Sequence, residues 1–448
     1  MSSIAISPDP VFVGAGTSLS LTATGAYSNG STADLTSQVL WTSVDTRIAT
    51  VTASGVVTAV GASAAITTIT ASLGGVTSPA VTITITATSS VSWNTLNIAR
   101  YDHTATLLND GTGRVLVAGG YGNGPAGSTL ALASAELYDP SLNKWTLAGN
   151  MGTARRDHTA TLLANGQIVQ IGGGGDATLN DLDSAEVYTP NLGIGTWSSY
   201  ASILNIPRAY HTATLLTNGK ILVVGGGGLD PRNELYDPAN PTVKAVLTAT
   251  DTSSTGRYSH TATLLPDGRV LVVGGFANSA TVLGAGSVLD TAELCDPTGT
   301  TMTLTATSPK TGRYLHSATL LGNGKVLVAG GRNAAQVETN SAELYDPATN
   351  TWSQTGSLAI ARSEHIATLM PNGQVLVVGG VNGNSTLSSA ELYDPVAGTW
   401  SSAANLQYGR AVFSATLLPH STLPTSDQVL VVGGDGAAGI LSNVELHN

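Results

Sequence analysis

Residues 313–331 read RYLHSATLLGNGKVLVAGG, and this stretch decides the fold because close copies of it recur along most of the chain. Each copy ends in a Gly-Gly pair, and the other copies lie at 100–120, 156–173, 208–226, 257–275, 362–380 and 410–434. Repetition at a period of about fifty residues is the signature of a repeat architecture in which each copy forms one structural unit.

Each unit reads as four short strands. The segment Arg-x-x-His-x-Ala-Thr-Leu-Leu predicts a first strand, and Val-Leu-Val-Val-Gly-Gly predicts a second. Asn-Gly or Asp-Gly between them, as at Asn323-Gly324, predicts a tight hairpin turn because both central residues tolerate positive φ. Ala-Glu-Leu-Tyr-Asp-Pro predicts a third strand, and Trp145, Trp197, Trp352 and Trp400 mark a fourth. Four antiparallel strands repeated radially describe a propeller blade.

The unit resembles the kelch repeat, with its paired glycines, its Glu-x-Tyr-Asp strand and its spaced Trp, over roughly residues 93–448. Seven Gly-Gly pairs predict seven blades. The last unit ends at Glu445–Asn448 without a fourth strand, while Val91-Ser92-Trp93 reads as a fourth strand without a blade. We therefore expect the strand at Trp93 to complete the seventh blade, since a closed ring leaves no sheet edge unpaired at the junction.

The first 88 residues have a different pattern. Short alternating segments such as VTITIT, separated by turn-rich stretches, predict a small β-sandwich. The blocks around Trp41, Ala49-Thr50-Val51 and 55–60 resemble a bacterial immunoglobulin-like domain of group two. The predicted fold is thus all-β, with an immunoglobulin-like sandwich at 1–88 and a seven-bladed kelch propeller at 89–448. The resemblance implies a spacer in a secreted or bacterial cell-surface protein, with the native signal peptide absent from this sequence.

Composition excludes several classes of function. The net charge of −11 argues against nucleic-acid binding, because no basic patch is present to neutralise phosphates. No apolar run is long enough to predict a transmembrane segment. The low charged fraction of 10% and the abundance of glycine and β-branched residues favour an all-β protein.

Each unit also carries one Arg, one Glu and, in six units, one His in register. We expect the Arg and Glu to pair within or between blades, because burying one charge without its partner is costly. Six equivalent histidines spread around a propeller axis cannot converge on one metal ion, so we expect neither a metal nor a cofactor. Phe413 takes the seventh histidine position, which indicates a packing role.

Binding is expected on the propeller face formed by the loops between strands two and three and between consecutive blades, where the units differ most. The two residues between the repeated Arg and His begin the innermost strand near the axis. Tyrosine beside charged groups there suits a glycan or protein ligand, although the tyrosines would equally serve to cover blade junctions. The candidate ligand-binding residues are Tyr101, Asp102, Arg156, Asp157, Tyr210, Tyr258, Tyr314 and Glu364.

The leading hypothesis is a non-catalytic extracellular or surface binding module. One alternative is a structural component of a surface layer or filament, with possible self-assembly. A second is an enzyme, either hydrolytic, with Asp102, Asp157 and Glu364 as acid and base, or of the galactose-oxidase type. The resemblance to galactose oxidase implies a copper centre with His and Tyr ligands and a Tyr–Cys crosslink. The single cysteine, Cys295, stands in a third-strand position, which disfavours that centre.

Overall fold

The computed structural model describes residues 1–7, 11–14, 18–60, 66–86, 90–93, 95–123, 129–175, 180–191, 193–226, 232–250, 256–277, 287–419 and 428–447. These residues form strands, turns and bends and contain no helix, so the all-β prediction is confirmed. Accordingly, no helix capable of crossing a membrane occurs in this part of the chain.

The first domain is built from eleven strands around one apolar core. Trp41 lies in this core, and its indole nitrogen donates to the carbonyl of Thr36 at 2.9 Å. Alternation of buried and exposed residues, as in Ser3–Ser7, gives each strand one core-facing side. The strands are Ser3–Ser7, Val11–Gly14, Ser18–Ser20, Thr22–Ala26, Thr32–Asp34, Leu40–Ser43, Ala49–Val51, Val56–Ala59, Ile66–Leu73, Val76–Thr77 and Val81–Thr86.

The repeats form seven four-stranded antiparallel sheets within the described residues. Here they are called blades one to seven, with strands given from the innermost outward. Blades one to three comprise Thr104–Leu107, Val115–Ala118, Ser134–Asp139 and Lys144–Asn150; Thr159–Leu162, Ile168–Ile171, Ala185–Thr189 and Thr196–Tyr200; and Thr212–Leu215, Ile221–Val224, Arg232–Tyr236 and Val246–Thr250.

Blades four to seven follow the same order. Their strands are Thr261–Leu264, Val270–Val273, Ala292–Cys295 and Met302–Leu304; Ser317–Leu320, Val326–Ala329, Ala342–Asp346 and Thr351–Gln354; Ile366–Leu369, Val375–Val378, Ala390–Asp394 and Thr399–Ala403; and Ser414–Leu418, Gln428–Val432, Val444–His447 and Ser90–Trp93.

The sheets are arranged in a closed ring. Each innermost strand contacts the innermost strand of the next blade, and Ser414–Leu418 contacts Thr104–Leu107. The strand Ser90–Trp93 pairs antiparallel with Val444–His447, so blade seven contains residues from both ends of the repeat region. The predicted domain boundary between residues 88 and 89 lies outside the described residues and stays a prediction.

One face of the ring carries the loops that connect strands two and three of each blade, and we call it the loop face. Short strands on this face extend the blades. In each case the residue after the repeated Arg pairs with the residue after the Gly-Gly pair, as Tyr101 does with Tyr121. In three other blades an isolated β-bridge makes the equivalent connection. These bridges join Arg156 to Gly174, Tyr314 to Arg332 and Ser363 to Val381. The short strands are Arg100–Tyr101, Tyr121–Asn123, Thr129–Ala131, Arg257–Tyr258, Phe276–Ala277, Ser287–Val288, Val381–Asn382, Ser385–Thr386, Arg410–Ala411, Asp435–Gly436 and Gly439–Ile440.

Apolar cores lie between adjacent blades. Every residue of Val375–Val378 is buried, because both faces of a blade pack against a neighbour and both must therefore be apolar. The third-strand Tyr393 packs against Trp400 of the fourth strand with ring centroids 5.0 Å apart. The Tyr and Trp of the repeat are thus a cross-strand aromatic pair within each blade that has both.

The Gly-Gly pairs bind each blade to the next. The amide of the second glycine donates to the carbonyl of the repeated Arg in the following unit at 2.7–2.9 Å, and Gly434 closes the circle by donating to Arg100. A Cβ at Gly119 would lie 2.5 Å from the carbonyl oxygen of Arg155, and Gly119 has a φ of +64°. Only glycine allows this approach of two backbones.

The repeated Arg and Glu form a buried ion pair within each blade, which confirms the predicted pairing. In blade five, Nη2 of Arg313 lies 2.8 Å from Oε1 of Glu343, and both side chains are 1% exposed. Nη1 of Arg313 donates to the carbonyls of Gly330 and Ser341, while Glu343 accepts the backbone amides of Lys310 and Thr311. The seven pairs are Arg100–Glu136, Arg155–Glu186, Arg208–Glu234, Arg257–Glu293, Arg313–Glu343, Arg362–Glu391 and Arg410–Glu445.

The repeated histidines connect neighbouring innermost strands. Nε2 of each lies 2.8–3.2 Å from the hydroxyl of a Ser or Thr in the preceding blade, as His365 does from Ser317. Burial, followed by the nearby arginines, lowers the pKa of His103, His211 and His365 to about 3, so these rings are neutral at physiological pH.

One junction replaces this hydrogen bond with an apolar contact. Phe413 takes the histidine position of blade seven, and Ile366 takes the Thr position of blade six. Both side chains belong to the same apolar cluster. The two departures from the repeat therefore compensate each other, because neither leaves a buried polar atom without a partner.

We predict that Arg313→Met lowers the free energy of unfolding by about 3–5 kcal/mol, because it leaves Glu343 buried without a cation. Lys325→Met serves as the matched control, since Lys325 pairs with Asp346 in the same blade but its side chain is 39% exposed. Its loss should cost less than about 1 kcal/mol. Urea unfolding of both variants tests this, and equal losses would contradict a special role for the buried pair.

We also predict that Phe413→His lowers the free energy of unfolding by about 1–3 kcal/mol, because the imidazole would face Ile366 without a hydroxyl partner. Adding Ile366→Thr should recover most of this loss by recreating the hydrogen bond found at the other six junctions. A double-mutant cycle by chemical denaturation measures the coupling. Additive effects of the two substitutions would refute the proposed compensation.

Candidate functional site

An open cavity of about 320 Å³ lies where the innermost strands begin, on the loop face of the ring. We call it the axial cavity. Its lining comes from blades one, two, four, five, six and seven, so it surrounds the ring axis rather than one blade junction. The lining residues are Asp102, His103, Asp157, His158, Ser259, His260, Leu315, His316, Glu364, His365, Ile366, Val412 and Phe413.

A ring of seven residues in the left-handed backbone conformation forms the rim of the axial cavity. They are the residues immediately before the repeated His or Phe, with φ between 51° and 56°, namely Asp102, Asp157, Tyr210, Ser259, Leu315, Glu364 and Val412. In six of them, all except Val412, the amide donates to the carbonyl of the counterpart in the preceding blade at 3.0–3.3 Å. This conformation is uncommon for non-glycine residues, and especially for β-branched Val412, so the ring is strained.

Asp102 and Asp157 are neighbours on this rim. Nη1 of Arg156 lies 2.5 Å from Oδ2 of Asp157, and the Tyr210 hydroxyl also hydrogen-bonds to Asp157. Burial and then the Asp157 carboxylate raise the pKa of Asp102. Burial also raises the pKa of Asp157, although Arg156 opposes this. Two adjacent, buried carboxyl groups resist losing both protons, so the pair tends to retain one.

Glu364 lines another part of the axial cavity. Burial raises the pKa of its carboxyl group, and the charge of Arg332 opposes that change. Nε of Arg332 donates to Oε1 of Glu338 at 2.9 Å, so this cation already has a carboxylate partner. Among the described residues, no side chain donates a hydrogen bond to the Glu364 carboxylate. Glu364 is thus an acidic group available to a ligand.

Four apolar side chains form another part of the wall of the axial cavity. Leu315, Ile366, Val412 and Phe413 come from blades five to seven, whereas Asp102 and Asp157 come from blades one and two. The apolar pair of Ile366 and Phe413 therefore contributes to the cavity as well as to the blade junction. The axial cavity offers acidic groups and hydrocarbon surface side by side, a combination that orients a ligand with one polar and one apolar end.

Aromatic rings form an arc on the loop face beside the axial cavity. Tyr258 packs against Tyr210 at 6.3 Å and against Phe276 at 5.5 Å, and Phe276 packs against Tyr314 at 5.4 Å between ring centroids. Tyr101 packs against Tyr121 at 5.5 Å, and the Arg156 guanidinium lies 5.1 Å above the Tyr121 ring. We call Tyr101, Tyr121, Tyr210, Tyr258, Phe276 and Tyr314 the aromatic arc.

The structure thus separates the sequence-predicted residues into two groups. Asp102, Asp157 and Glu364 line the axial cavity, and Arg156 and Tyr210 adjoin Asp157. Tyr101, Tyr258 and Tyr314 belong, together with Tyr210, to the aromatic arc, where Tyr314 is only 9% exposed and Tyr210 is 45% exposed. Both interpretations of the tyrosines are therefore compatible with the structure, because some of them cover blade junctions and Tyr210 is open to solvent. Their role in binding stays a proposal.

Sequence reasoning did not select Tyr121, Phe276 or the apolar wall. A usable signal existed for the first two, since each directly follows a Gly-Gly pair and pairs with the residue after the repeated Arg. Blade two has two adjacent arginines, Arg155 and Arg156, at the place where the other units have one. Arg155 forms the buried ion pair, and Arg156 is the additional cation of the loop face.

The described residues do not fit a copper centre of the kind that the resemblance to galactose oxidase implies. Cys295 is 1% exposed and packs among Leu222, Val270 and Val272 between blades three and four. Nε2 of each repeated histidine is engaged with a hydroxyl group. Within the described part of the chain, no three His, Cys, Asp or Glu side chains are grouped to hold a metal ion.

We predict that Asp102→Asn raises the free energy of unfolding by about 1–2 kcal/mol at pH 8 and by much less at pH 4. Because the pKa of Asp102 is raised in the folded state, its protonated form is compatible with the fold at low pH, and the protein loses stability as the pH rises through that pKa. Asn does not titrate, so the variant avoids this loss. Asn also tolerates the left-handed conformation. Urea unfolding at both pH values measures the effect, with exposed Asp290→Asn as control. An equal gain at both pH values would contradict this account.

Comparison with family models agrees with the fold. The model of the KLHDC2/KLHL20/DRC7 Kelch-repeats domain matches residues 211–434, and that of the kelch motif matches residues 99–152. The model of the bacterial Ig-like domain (group 2) matches residues 1–85. A solved structure of a fungal alcohol oxidase of the AA5 family, in complex with copper, has a TM-score of 0.59 at 18% identity and covers 80% of this chain and 75% of that chain. At this identity the likeness concerns the fold alone.

The curated proteins that are similar in sequence match shorter stretches of this chain than the fungal oxidase structure does. F-box/kelch-repeat protein At1g30090 of Arabidopsis thaliana is 36% identical over 108 residues, which is 22% of this chain and 25% of that protein. Ice-binding protein 1 of Shewanella frigidimarina is 46% identical over 70 residues, which is 16% of this chain and 8% of that protein. The chain therefore spans a quarter or less of the length of these relatives. Because the kelch-repeats model matches half of the chain, this protein belongs to the kelch-repeat family and carries a bacterial Ig-like domain at its N-terminal end.

Proposed function

We propose that this protein is a binding module that recognises a segment of another protein on the loop face of its propeller. The observation that carries the proposal is the axial cavity, which combines acidic groups with apolar side chains at the centre of the ring and has the half-exposed Tyr210 beside its Asp157. Membership of the kelch-repeat family supports a protein-binding role. Exposed tyrosine beside hydrogen-bonding groups also suits protein recognition, since its ring contributes apolar contact area and its hydroxyl a polar contact.

We place this activity outside the cell or at the bacterial cell surface. The bacterial Ig-like domain at residues 1–85 is compatible with such a location and would act as a spacer between the propeller and its attachment. A glycan is the second candidate ligand, because Tyr210 lies beside the Asp157 carboxylate and could stack on a sugar ring while the carboxylate accepts its hydroxyl groups.

A peptide-display selection on the immobilised full chain tests the proposal, with a glycan array run in parallel. Selected ligands should bind the Tyr210→Ala/Tyr258→Ala variant about thirtyfold more weakly, the effect expected when a central aromatic contact is removed. Leu142→Ala/Val396→Ala is the matched control, because these exposed side chains lie in strand three–four turns on the opposite face. Fluorescence anisotropy gives the dissociation constants.

Two outcomes would overturn the proposal. If neither peptides nor glycans are enriched on the full chain, the loop face is not a receptor surface. If enriched ligands bind the tyrosine variant and the control equally well, binding occurs elsewhere. Light scattering of the free chain over a range of concentrations separates the structural alternative, because a filament or layer component would grow in mass with concentration.

A further inference from the structure

We propose that the interface between blades three and four, which we call the three–four junction, opens reversibly at its outer edge while the rest of the ring stays folded. This inference concerns the scaffold and does not depend on the proposed function. It follows from three features of the junction: small side chains in place of an aromatic pair, buried polar groups without partners, and hydrogen bonds concentrated beside the ring axis.

The first feature is the pair of residues at the Tyr and Trp positions of the repeat. In blades one, two, five and six, these two rings pack with centroids 5.0–5.2 Å apart. In blade four the same positions hold Cys295 and Met302, which are directly opposite each other on adjacent strands. Both belong to the apolar cluster shared with blade three, and Gly299 of the adjoining turn lies close to Leu235 there. Cysteine and methionine bury less apolar area than Tyr and Trp, so this junction gains less from packing.

The same replacement leaves a hydroxyl group of blade three without a partner. At the corresponding position of blade four, Thr305 accepts a hydrogen bond from Nε1 of Trp352 in the next blade at 3.4 Å. In blade five, the hydroxyl of Thr355 lies 2.7 Å from that of Tyr393 in the next blade. The equivalent residue of blade three is Thr248, whose buried Oγ1 has no hydrogen-bond partner among the described residues. The blade that follows it has neither the Tyr nor the Trp that would supply one.

Asn233 adds two more unpaired polar atoms to the three–four junction. Its side chain is 1% exposed, and neither Nδ2 nor Oδ1 has a hydrogen-bond partner in the described part of the chain. Ala135, its equivalent in blade one, packs in the cluster between blades one and two, which places Asn233 in the corresponding junction. Unpaired buried groups disfavour the closed junction, because contact with water would satisfy them. Five other blades have alanine at this position, namely Ala135, Ala185, Ala292, Ala342 and Ala390.

Hydrogen bonds hold the three–four junction beside the ring axis. There Nε2 of His260 lies 2.9 Å from the hydroxyl of Thr212, as at the other histidine junctions. At the outer edge, no hydrogen bond between described residues joins the outermost strands of blades three and four. In contrast, Nε1 of Trp197 donates to the carbonyl of Ala148 at 2.9 Å across the outer edge of the junction between blades one and two. The three–four junction can therefore part on its outer side and stay joined on its axial side.

Cys295 provides a reporter for this opening, because it is the single cysteine of the chain and is 1% exposed. The closed junction protects the thiol from Ellman's reagent, so the rate of reaction measures the population of the open state. At about pH 8, we expect the native full chain to react at least about tenfold faster than global unfolding allows. The rate should depend little on low concentrations of urea, because opening one junction exposes little surface.

Substitutions in the three–four junction should change this rate in a defined direction. Asn233→Ala should slow the reaction of Cys295 about tenfold, because it removes the unpaired amide from the closed state. Thr248→Ala should slow it about threefold for the same reason. Asn384→Ala is the matched control, since this exposed residue lies in a loop of blade six and should leave the rate unchanged.

A second thiol position compares two junctions. Cys295→Ala/Val377→Cys moves the thiol to the junction between blades five and six, where Tyr393 and Trp400 are present. This thiol should react at least about tenfold more slowly than Cys295 does in the native chain.

Three results would overturn the inference. The first is a reaction of Cys295 that proceeds at the rate, and with the steep urea dependence, of global unfolding. The second is an unchanged rate in both Asn233→Ala and Thr248→Ala. The third is equal reactivity of thiols at positions 295 and 377. These measurements require no ligand, so their outcome is separate from the success or failure of the proposed binding function.

Discussion

The buried ion pair between the repeated arginine and glutamate is the interaction on which each blade depends. In blade five, Arg313 joins the Gly330 carbonyl, the start of the third strand and Glu343, and Glu343 in turn holds the backbone before Arg313. One ion pair thus positions two segments of the loop face, namely the segment that precedes the innermost strand and the loop between strands two and three. Because neither partner can be lost without leaving a buried charge, the pair specifies this local geometry in every unit.

This constraint separates the scaffold from the site. The backbone position before each repeated His or Phe has φ between 51° and 56°, yet its side chain is Asp, Tyr, Ser, Leu, Glu or Val. Glycine contacts and the hydrogen bonds between blades hold the backbone there, so its conformation does not depend on the side chain. The rim of the axial cavity can therefore change its chemistry from blade to blade without changing the ring, which is the arrangement expected of variable groups on a rigid support.

Much of the fold could be predicted from the sequence, because the recurring residues mark equivalent positions in every blade. The strands, the positions of the Asn-Gly turns and the Arg–Glu pairing were predictable from residues that recur at fixed spacing, although only the glycine of each turn, and not the Asn before it, has a positive φ. The division between axial cavity and aromatic arc was not. It depends on the left-handed backbone conformation at positions such as Tyr210 and Glu364. Tyr and Glu rarely adopt this conformation, so the sequence does not predict it. Phe276 was missed for a related reason, since its partner Tyr258 is eighteen residues away and joins it only through a short strand on the loop face.

The pairing of Ser90–Trp93 with Val444–His447 has a consequence for biosynthesis. The earlier strand leaves the ribosome more than three hundred residues before its partner exists, and until then blade seven cannot be completed. Throughout that interval the growing array has open strand edges, which are sites for unwanted pairing with other chains. Completion of the ring is thus set by the last segment to be translated, and a ribosome that stalls shortly before residue 444 would release an array of blades that cannot close.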